Sequence, residues 1–393
     1  MEQLLKRTHG DRIIWGTVIS LCLVSLLVVY SATGALAYKM RGGHTEYYLF
    51  KQLGVFLLGF VIMWAAHRVN YTVYRRIAVL LFAISIPLLI YTLIAGRNLN
   101  GAARWVSIPG IGLTFQSSDF AKLGLFMFVA RQLSTFQNQI HDFKTVAINI
   151  FLPVGIIVLL IAPANLSTAL MLSITSTLLF FIGRVYMKHL AILAIAGIIG
   201  LLCIYGISKI TGKGRAATWE QRISDFGKRD SIDQQPFQVL QAKIAIAKGG
   251  FFGVGPGNST QRNFLPESFS DMVYPIIIEE YGIFGGLVVI FLYLLFLWRS
   301  IVLFRRCPYA FGAFLAIGLS FTLVFQAMLN MAVGVNLVPV TGLTLPLISM
   351  GGSSVWFTSL TIGIVLSVSK YVEEMEGHKQ KKDTITEQIE IIA

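Results

Sequence analysis

Long apolar stretches, separated by short polar connections, run through most of the chain. A stretch of about 17 to 25 apolar residues is long enough to cross a bilayer as a helix. Nine such stretches and one shorter stretch occur, at residues 13–33, 49–67, 77–95, 120–133, 145–162, 166–183, 188–208, 273–297, 310–332 and 345–369. The pattern predicts an all-α, polytopic membrane protein with ten transmembrane helices.

Composition supports a membrane protein and argues against a nucleic-acid partner. The 393 residues are 55% hydrophobic and 13% charged. A net charge of +13 would point to nucleic acid in a soluble protein. Here much of the charge lies in short loops, as the positive-inside rule describes, so no nucleic-acid partner is expected. The three cysteines are scattered, which predicts neither a disulfide framework nor a metal cluster.

The placement of Lys and Arg predicts the orientation of the chain. These residues cluster in alternate connections only if the short stretch 120–133 counts as a span. Both termini are then expected in the cytoplasm of a bacterial cell, with the protein in the inner membrane. The first apolar run lacks a clear small-residue cleavage site, so we expect a retained helix. Residues 1–372 form the predicted membrane domain, and residues 373–393 a charged, mobile cytoplasmic tail.

The connection at 209–270, between the seventh and eighth spans, is predicted to be a large ordered outer loop. Ordinary connections have about 4 to 6 residues, so a loop of this length is either functional or disordered. Within it, PFQVLQAKIAIAKGG predicts an amphipathic helix lying at the outer membrane surface. The predicted apolar face comprises Phe237, Leu240, Ile244 and Ala247.

The segment GGFFGVGPG follows that helix and leaves two interpretations open. A glycine-rich loop can cradle a phosphate, but this one neither follows a strand nor matches a Walker pattern. Alternatively, the glycines permit tight turns at the membrane face.

Charged residues inside spans are costly and usually face a cavity or a partner. Asp119 and Lys122, in SSDFAKLGLF, are three residues apart and are predicted to form an ion pair on one helical face. Asp271 begins the eighth span, where an aspartate is either a functional group or a helix N-cap. At about 100° per residue, Glu280 lies on the opposite side of that helix from Asp271. We therefore expect Glu280 to serve another surface.

Four motifs carry a family resemblance. The segment LPESFSDMVYPIIIEEYG resembles LPExHTDFIFAVIxEELG of the SEDS family (FtsW, RodA and SpoVE). The segments GAARWVSIPGIGLTFQSSDFAKL, GGFFGVGPG and LTLPLISMGGSS resemble three further motifs of that family, in the same order. The resemblance covers nearly the whole chain and implies ten spans with a large outer loop between spans seven and eight.

Members of this family polymerise lipid II into peptidoglycan with a class B penicillin-binding protein as partner. The resemblance implies that Asp271 is the essential aspartate. It also implies a substrate-binding set of Arg104, Trp105, Asp119, Lys122, Lys248, Glu280 and Ser349. The NLSTAL variant and the PESFSD loop favour septal wall synthesis in cell division, with other divisome membrane proteins as partners.

Three positions depart from the family pattern. Phe269 stands where the family usually has histidine, Met350 replaces a tyrosine, and Asn165 replaces an aspartate. Any acid, base or hydrogen-bonding role of that histidine is therefore absent from this chain.

The residues also indicate a mechanism. A sugar hydroxyl that attacks an anomeric carbon needs a base, and the diphosphate leaving group needs cations. Asp271 would be the base in a direct, inverting displacement. Arg104, Lys122 and Lys248 would neutralise the diphosphate, or a divalent cation such as Mg²⁺ or Mn²⁺ held by Asp271 would do so.

Two other classes of function are compatible with these residues. A protein with ten spans and intramembrane charges is also compatible with a flippase for a lipid-linked precursor. A noncatalytic scaffold that activates a partner synthase is the third alternative, and elongation of the side wall is the alternative within the family.

Overall fold

The computed structural model describes residues 10–41, 44–99, 102–107, 114–211, 215–227, 236–266 and 268–392, and most of them are helical. The helices are α1 Arg12–Ala32, α2 Gly34–Arg41, α3 Glu46–Arg68, α4 Tyr71–Ala95, α5 Ser117–Thr135, α6 Phe143–Ile161, α7 Leu166–Ile182, α8 Met187–Thr211, α9 Ala216–Gly227, α10 Phe237–Gly249, α11 Val273–Arg306, α12 Ala310–Gly334 and α13 Ser353–Ile392. Helix α6 contains a π-helical stretch at Ala147–Phe151.

Each of the ten predicted spans corresponds to a helix. Eight helices in the described part of the chain are long and apolar enough to cross a membrane. The other two are α7, with 17 residues, and α5, which carries the charged pair Asp119 and Lys122. Helix α5 packs against α4 and α12, so its polar groups face protein. The all-α class with ten spans is therefore confirmed for the membrane domain.

Helix α12 forms the centre of the bundle. In its most apolar stretch 78% of the residues are buried, against 6% in α8 at the periphery. It contacts α5, α7, α11 and α13. A helix that is apolar on all sides belongs in the interior, whereas α8 is apolar but has few protein neighbours. Polar side chains on α12 therefore point at other helices.

Contacts at one end of the bundle join elements that are distant in sequence. Asp11 caps the N-terminus of α1 and forms an ion pair with Arg299, near the C-terminal end of α11, at 2.5 Å. The backbone N–H of Gly10 donates to Glu373 of α13 at 2.7 Å. The start of α1 thus lies at the same end as Arg299 and Glu373, as the charge pattern predicts. A cytoplasmic position for this end remains a prediction.

A small antiparallel sheet interrupts the helical fold, and the sequence did not predict it. Strands β1 Arg97–Leu99, β2 Ala102–Ser107 and β3 Thr114–Gln116 pair in the order β1-β2-β3 between α4 and α5. The strands have three to six residues, which is too short for a clear alternation of apolar and polar residues.

The last predicted span begins too early. Helix α13 starts at Ser353 rather than at residue 345, and residues 335–352 form an irregular connection that we call the strap. Pro346 and the positive φ angles of Gly342 and Leu347 are incompatible with a helix there. Helix α13 continues through the predicted tail to Ile392, and the mobility of residues 373–393 stays a prediction.

Helix α10 confirms the predicted helix and packs on α11 through residues outside the predicted apolar face. Its buried residues are Val239, Ala242, Ala245 and Gly249. Helix α10 packs closely on α11, and its small residues permit this approach. Phe237, on the predicted apolar face, is exposed, and the position of that face at the outer membrane surface stays a prediction.

Candidate active site

Asp271 lies at the entrance to α11 and does not cap it. The N-cap position is Met272, and no side chain there accepts a hydrogen bond from the helix. The backbone carbonyl of Asp271 accepts a hydrogen bond from Asn330 Nδ2 at 2.9 Å. The preceding carbonyl, that of Ser270, accepts one from Ser349 Oγ at 2.5 Å. The capping alternative is therefore excluded, and side chains from α12 and the strap fix the backbone here.

A guanidinium of the outer loop interacts electrostatically with Asp271. Arg222, on α9, is half-buried, and its Nη1 lies 3.5 Å from the carbonyl oxygen of Thr341 in the strap. Burial lowers the pKa of Arg222, as does the charge of Arg215, while the charge of Asp271 opposes this shift. Helix α9 thus provides a positive group close to the candidate base.

Strand β2 carries Arg104 and Trp105. Arg104 Nε donates to the carbonyl of Ala164 at 3.0 Å, which fixes the side chain between β2 and the start of α7. Burial lowers the pKa of Arg104 to about 10, with further contributions from Arg215 and Arg222. Arg104 remains protonated at neutral pH, so these residues form a concentration of positive charge. We call Arg104, Arg215 and Arg222 the arginine cluster.

The predicted ion pair of α5 is present and has a third member. Lys122 Nζ lies 3.3 Å from Asp119 Oδ1, and it also donates to Gln326 Oε1 of α12 at 2.8 Å. Gln326 in turn donates from Nε2 to the carbonyl of Thr344 in the strap at 3.0 Å. Lys122 is therefore connected to the strap that also fixes Ser270.

A small cavity of about 20 Å³ lies beside Lys122. This volume is enough for about one water molecule. Its polar lining consists of Asp119, Lys122, Thr322, Gln326, Ser354, Thr358 and Thr361. The charged pair thus faces a small polar space inside the bundle.

Glu280 lies apart from these groups, as the helical geometry predicts. It is buried and accepts a hydrogen bond from the hydroxyl of Ser31 on α1. Arg262 donates to the same hydroxyl at 3.0 Å, so the carboxylate and the guanidinium share one partner. The contacts of Glu280 hold α1 and the outer loop on α11. Its assignment to substrate binding stays a prediction.

Glu279 and Lys248 both fasten the segment after the glycine-rich loop. Glu279 is fully buried and accepts from the hydroxyl of Ser259 and from the backbone N–H groups of Thr260 and Gln261. Lys248 is exposed and donates to Thr260 Oγ1 at 2.7 Å. Both contacts are structural, and a phosphate contact of Lys248 stays a prediction.

The glycine-rich segment packs its backbone directly on α11, at a break where Gly282 has φ of 69° and ψ of −175°. A Cβ on Gly249, Gly253 or Gly282 would lie 2.0, 2.2 or 2.1 Å from a backbone oxygen of the other segment. Val254 and Gly255 donate their N–H groups to the carbonyls of Glu279 and Glu280. We call this contact between 249–255 and 278–284 the seam. Close packing explains these three glycines, a role that neither interpretation of the sequence included, and the positive φ angles of Gly250, Gly253 and Gly255 agree with turns in this loop.

Two of the departures from the family pattern have a structural account. The side chain of Phe269 packs in a small apolar cluster with Leu265 and Met272, and its carbonyl accepts from the N–H of Met350 at 2.8 Å. Asn165 caps α7 by accepting from the N–H of Thr168 at 3.3 Å. Asparagine caps a helix as well as aspartate does, so this exchange preserves the start of α7.

Sequence reasoning missed Arg215, Arg222, Gln326 and Asn330. The two amides lie four residues apart in an otherwise apolar helix, and this spacing was the available signal, because buried amides need hydrogen-bond partners. For the arginines no comparable signal exists, because outer loops commonly carry solvated arginines.

Comparison with known proteins assigns the family. A family model described as "Cell cycle protein", FTSW_RODA_SPOVE, matches residues 11–374. The chain belongs to the FtsW/RodA/SpoVE family. One relative is stage V sporulation protein E of Bacillus subtilis (strain 168), 30% identical over 93% of this chain and 98% of that protein. Another is the probable peptidoglycan glycosyltransferase FtsW of Geobacter sp. (strain M18), 32% identical over 93% of this chain and 98% of that protein.

Solved structures of this family share the fold. RodA of Thermus thermophilus, a rod shape determining protein, matches with a TM-score of 0.65 and 24% identity, over 92% of this chain and 97% of that chain. A chain from a peptidoglycan synthase complex, described as coordinating polymerization and crosslinking, matches with a TM-score of 0.67 and 24% identity, over 92% of this chain and 98% of that chain. The protein is therefore a helical membrane protein with the FtsW/RodA/SpoVE fold.

Proposed function

We propose that the protein is a peptidoglycan glycosyltransferase that polymerises lipid II at the outer face of the membrane, with Asp271 as the general base. The single observation that carries this proposal is the position of Asp271. It lies at the entrance to α11 without capping the helix, and its charge acts on Arg222. A hydrogen bond from Asn330 to its carbonyl and one from Ser349 to the carbonyl of Ser270 hold the backbone here. The FtsW relatives, which are described as probable peptidoglycan glycosyltransferases, support the same activity.

The reaction needs a proton acceptor at the attacking sugar. The Asp271 carboxylate takes the proton of the acceptor hydroxyl as its oxygen attacks the anomeric carbon of the donor. The bond from that carbon to the diphosphate breaks, and the configuration inverts. General-base help of this kind contributes about 10² to 10⁴ in rate.

The remaining rate enhancement comes from charge around the leaving group. The diphosphate carries negative charge that increases as its bond to the sugar breaks, and fixed cations stabilise that charge. The arginine cluster is suited to this task, because burial and then the charges of Arg215 and Arg222 lower the pKa of Arg104, and a bound anion would stabilise its charged form. Lys122 adds a further positive charge in the membrane half of the site.

A divalent cation would have few protein ligands here. The described residues contain no group of three His, Cys, Asp or Glu side chains that could hold a metal ion. An ion beside Asp271 would therefore take its remaining ligands from the diphosphate and water, as Mg²⁺ often does. In our proposal the arginine cluster neutralises the diphosphate, and a cation would add to that neutralisation.

The lipid carrier remains in the bilayer during the reaction. Helices α6, α7 and α8 enclose an apolar cavity of about 770 Å³, and α8 is mostly exposed to the surroundings. Such a space suits a hydrocarbon chain, because its lining is almost wholly apolar.

We also propose a class B penicillin-binding protein as partner, cytoplasmic termini, and action at the division septum. The crosslinking function named for the similar synthase complex supports such a partner. The common position of Gly10, Arg299 and Glu373 at one end supports the orientation. A fluorescent fusion should form a midcell ring, whereas patches along the cell flank would contradict the septal role.

The test is polymerisation by purified protein in vesicles, with lipid II and a partner whose transpeptidase site is blocked. Asp271→Asn should reduce the rate by about 10² to 10⁴. Ser320→Ala is a matched control, because Ser320 is a buried polar residue of α12 that bonds to Ser300 instead of the site. Full-rate synthesis by Asp271→Asn would overturn the proposal. Loss of lipid movement between leaflets with normal strand synthesis would indicate the flippase instead.

A further inference from the structure

The strap contacts both candidate catalytic groups through two amide side chains of α12. Gln326 and Asn330 lie four residues apart, so they project from the same face of the helix, one turn apart. Gln326 is 6% exposed and Asn330 is 1% exposed. Buried polar side chains usually have hydrogen-bond partners, so the role of these two amides depends on the groups to which they bond.

Gln326 connects Lys122 to the strap. Its Oε1 accepts from Lys122 Nζ at 2.8 Å and its Nε2 donates to the carbonyl of Thr344 at 3.0 Å. An ammonium only donates and a carbonyl only accepts, so the chemistry of the partners fixes the orientation of the amide. Neither a carboxylate nor an apolar side chain satisfies both partners.

Asn330 connects Asp271 to the strap in a corresponding way. Its Nδ2 donates both of its hydrogens, to the carbonyl of Asp271 at 2.9 Å and to the carbonyl of Leu343 at 2.6 Å. The two amides therefore hold adjacent strap residues, Leu343 and Thr344. The other contact of Gln326 is with Lys122, and the other contact of Asn330 is with Asp271.

The strap itself is rigidly held. Leu343, Leu345 and Ile348 are buried. Ser25 Oγ of α1 donates to the carbonyl of Ile348 at 2.7 Å, and the N–H of Leu345 donates to Ser349 Oγ at 2.8 Å. A buried, hydrogen-bonded segment can hold the residues bonded to it in fixed positions, whereas a solvated loop could not. The distance between Lys122 and Asp271 is thus fixed through α12 and the strap.

We propose that Gln326 and Asn330 are positioning residues that hold Lys122 and Asp271 in register for sugar transfer. This inference rests on the proposed function, because it assigns the two amides to the same reaction. Neither amide is proposed to touch the substrate. Their effect should appear in the rate of the chemical step, because an error of about 1 Å in the position of a reacting group reduces rate about 10²-fold.

The experiment measures polymerisation by the full chain with its partner, at several concentrations of lipid II. Asn330→Leu and Gln326→Leu should each lower kcat by about 10²-fold, with KM for lipid II within a few-fold of wild type. Ser320→Ala, on the same helix, should keep both constants.

Gln326→Glu separates positioning from packing. The glutamate retains an acceptor for Lys122 and loses the donor to Thr344, whereas leucine loses both but buries no charge. Positioning predicts that Gln326→Glu polymerises faster than Gln326→Leu although it unfolds at a lower temperature. If Gln326 serves only packing, Gln326→Leu should be both more stable and more active than Gln326→Glu. That result would overturn the inference.

Failure of this inference is distinguishable from failure of the proposed function. If Asp271→Asn is inactive while Asn330→Leu and Gln326→Leu polymerise at the wild-type rate, the positioning role is wrong and the base assignment stands. If Asp271→Asn keeps full activity, the base assignment itself is wrong.

Discussion

The ammonium group of Lys122 lies 3.3 Å from a carboxylate oxygen of Asp119, one helical turn earlier in α5. The side chains are 20% and 11% exposed, so each charge depends on the other. Lys122→Met should destabilise the fold by about 1 to 3 kcal/mol, which is below the value for a fully buried pair because some solvent reaches both groups. The measurement is thermal unfolding in detergent.

The double variant Asp119→Asn, Lys122→Met provides the control. It should recover most of the lost stability, because neither charge is then left alone in the bundle. Its polymerisation should remain low, because the positive charge at the site is gone. Recovery of full synthesis by the double variant would show that the pair serves only the fold.

Substitutions at the seam separate backbone strain from steric overlap. Gly253 and Gly257 both have positive φ, 82° and 77°, but an added Cβ lies 2.2 Å from the carbonyl oxygen of Glu280 only at Gly253. Gly257→Ala should cost about 1 to 2 kcal/mol, the penalty for a left-handed conformation. Gly253→Ala should cost clearly more, because two backbone segments must separate. Equal unfolding temperatures for the two variants would contradict the packing described here.

Glu279 should matter for stability and not for chemistry. Its carboxylate accepts from Ser259, Thr260 and Gln261, and glutamine would leave at least one of these donors facing an N–H group. Glu279→Gln should lower stability by about 1 to 3 kcal/mol, the penalty for an unsatisfied buried group. Limited proteolysis should then cut the outer loop near residue 260 sooner. A protein of normal stability but low kcat would instead place Glu279 in the reaction.

The arginine cluster should bind pyrophosphate. Burial lowers the folded-state pKa of Arg104 to about 10, well below the usual value for arginine, so the folded protein disfavours the charge. The unfolded chain binds more protons between these two pH values, so this group makes stability rise with pH only in that window. At neutral pH the destabilisation caused by the charged Arg104 does not vary with pH, and a bound anion reduces it.

Inorganic pyrophosphate at neutral pH should therefore raise the unfolding temperature of the wild-type protein. Arg104→Gln keeps a donor for the carbonyl of Ala164 but should weaken pyrophosphate binding by about 10- to 100-fold, the value of a charge-assisted hydrogen bond. Arg306→Gln, at an exposed arginine near Glu376, is the control and should respond as wild type does. An equal response of the Arg104 and Arg306 variants would argue against a diphosphate site at this cluster.

Properties that depend on neighbouring residues were predictable from sequence. Apolar length predicted all ten spans, and a spacing of three residues predicted the pair of Asp119 and Lys122. Helical rotation correctly separated Glu280 from Asp271. In each case the prediction depends on a short, mostly helical stretch of sequence, where geometry is regular.

Properties that depend on distant residues were not predictable in this way. Gln326 meets Lys122 across 204 positions of sequence, and no periodicity encodes such a contact. The face of α10 that packs on α11 was not predicted, because side-chain hydrophobicity singles out Phe237 and not the small residues. Close packing on α11 instead requires Ala242, Ala245 and Gly249. The end of the strap, from residue 345, resembled the start of a span because it is apolar, and the turns of the strap depend on Pro346 and on positive φ angles.

The seam has a consequence for how this sequence can change over generations. Three hydrogen atoms, on Gly249, Gly253 and Gly282, occupy places where any other amino acid would insert a carbon into a neighbouring peptide group. Two of these positions lie in the outer loop and the third in α11, so neither segment can acquire a side chain while the other stays in place. A descendant that loses one of these glycines must reshape the outer loop and the entrance of α11 in the same step.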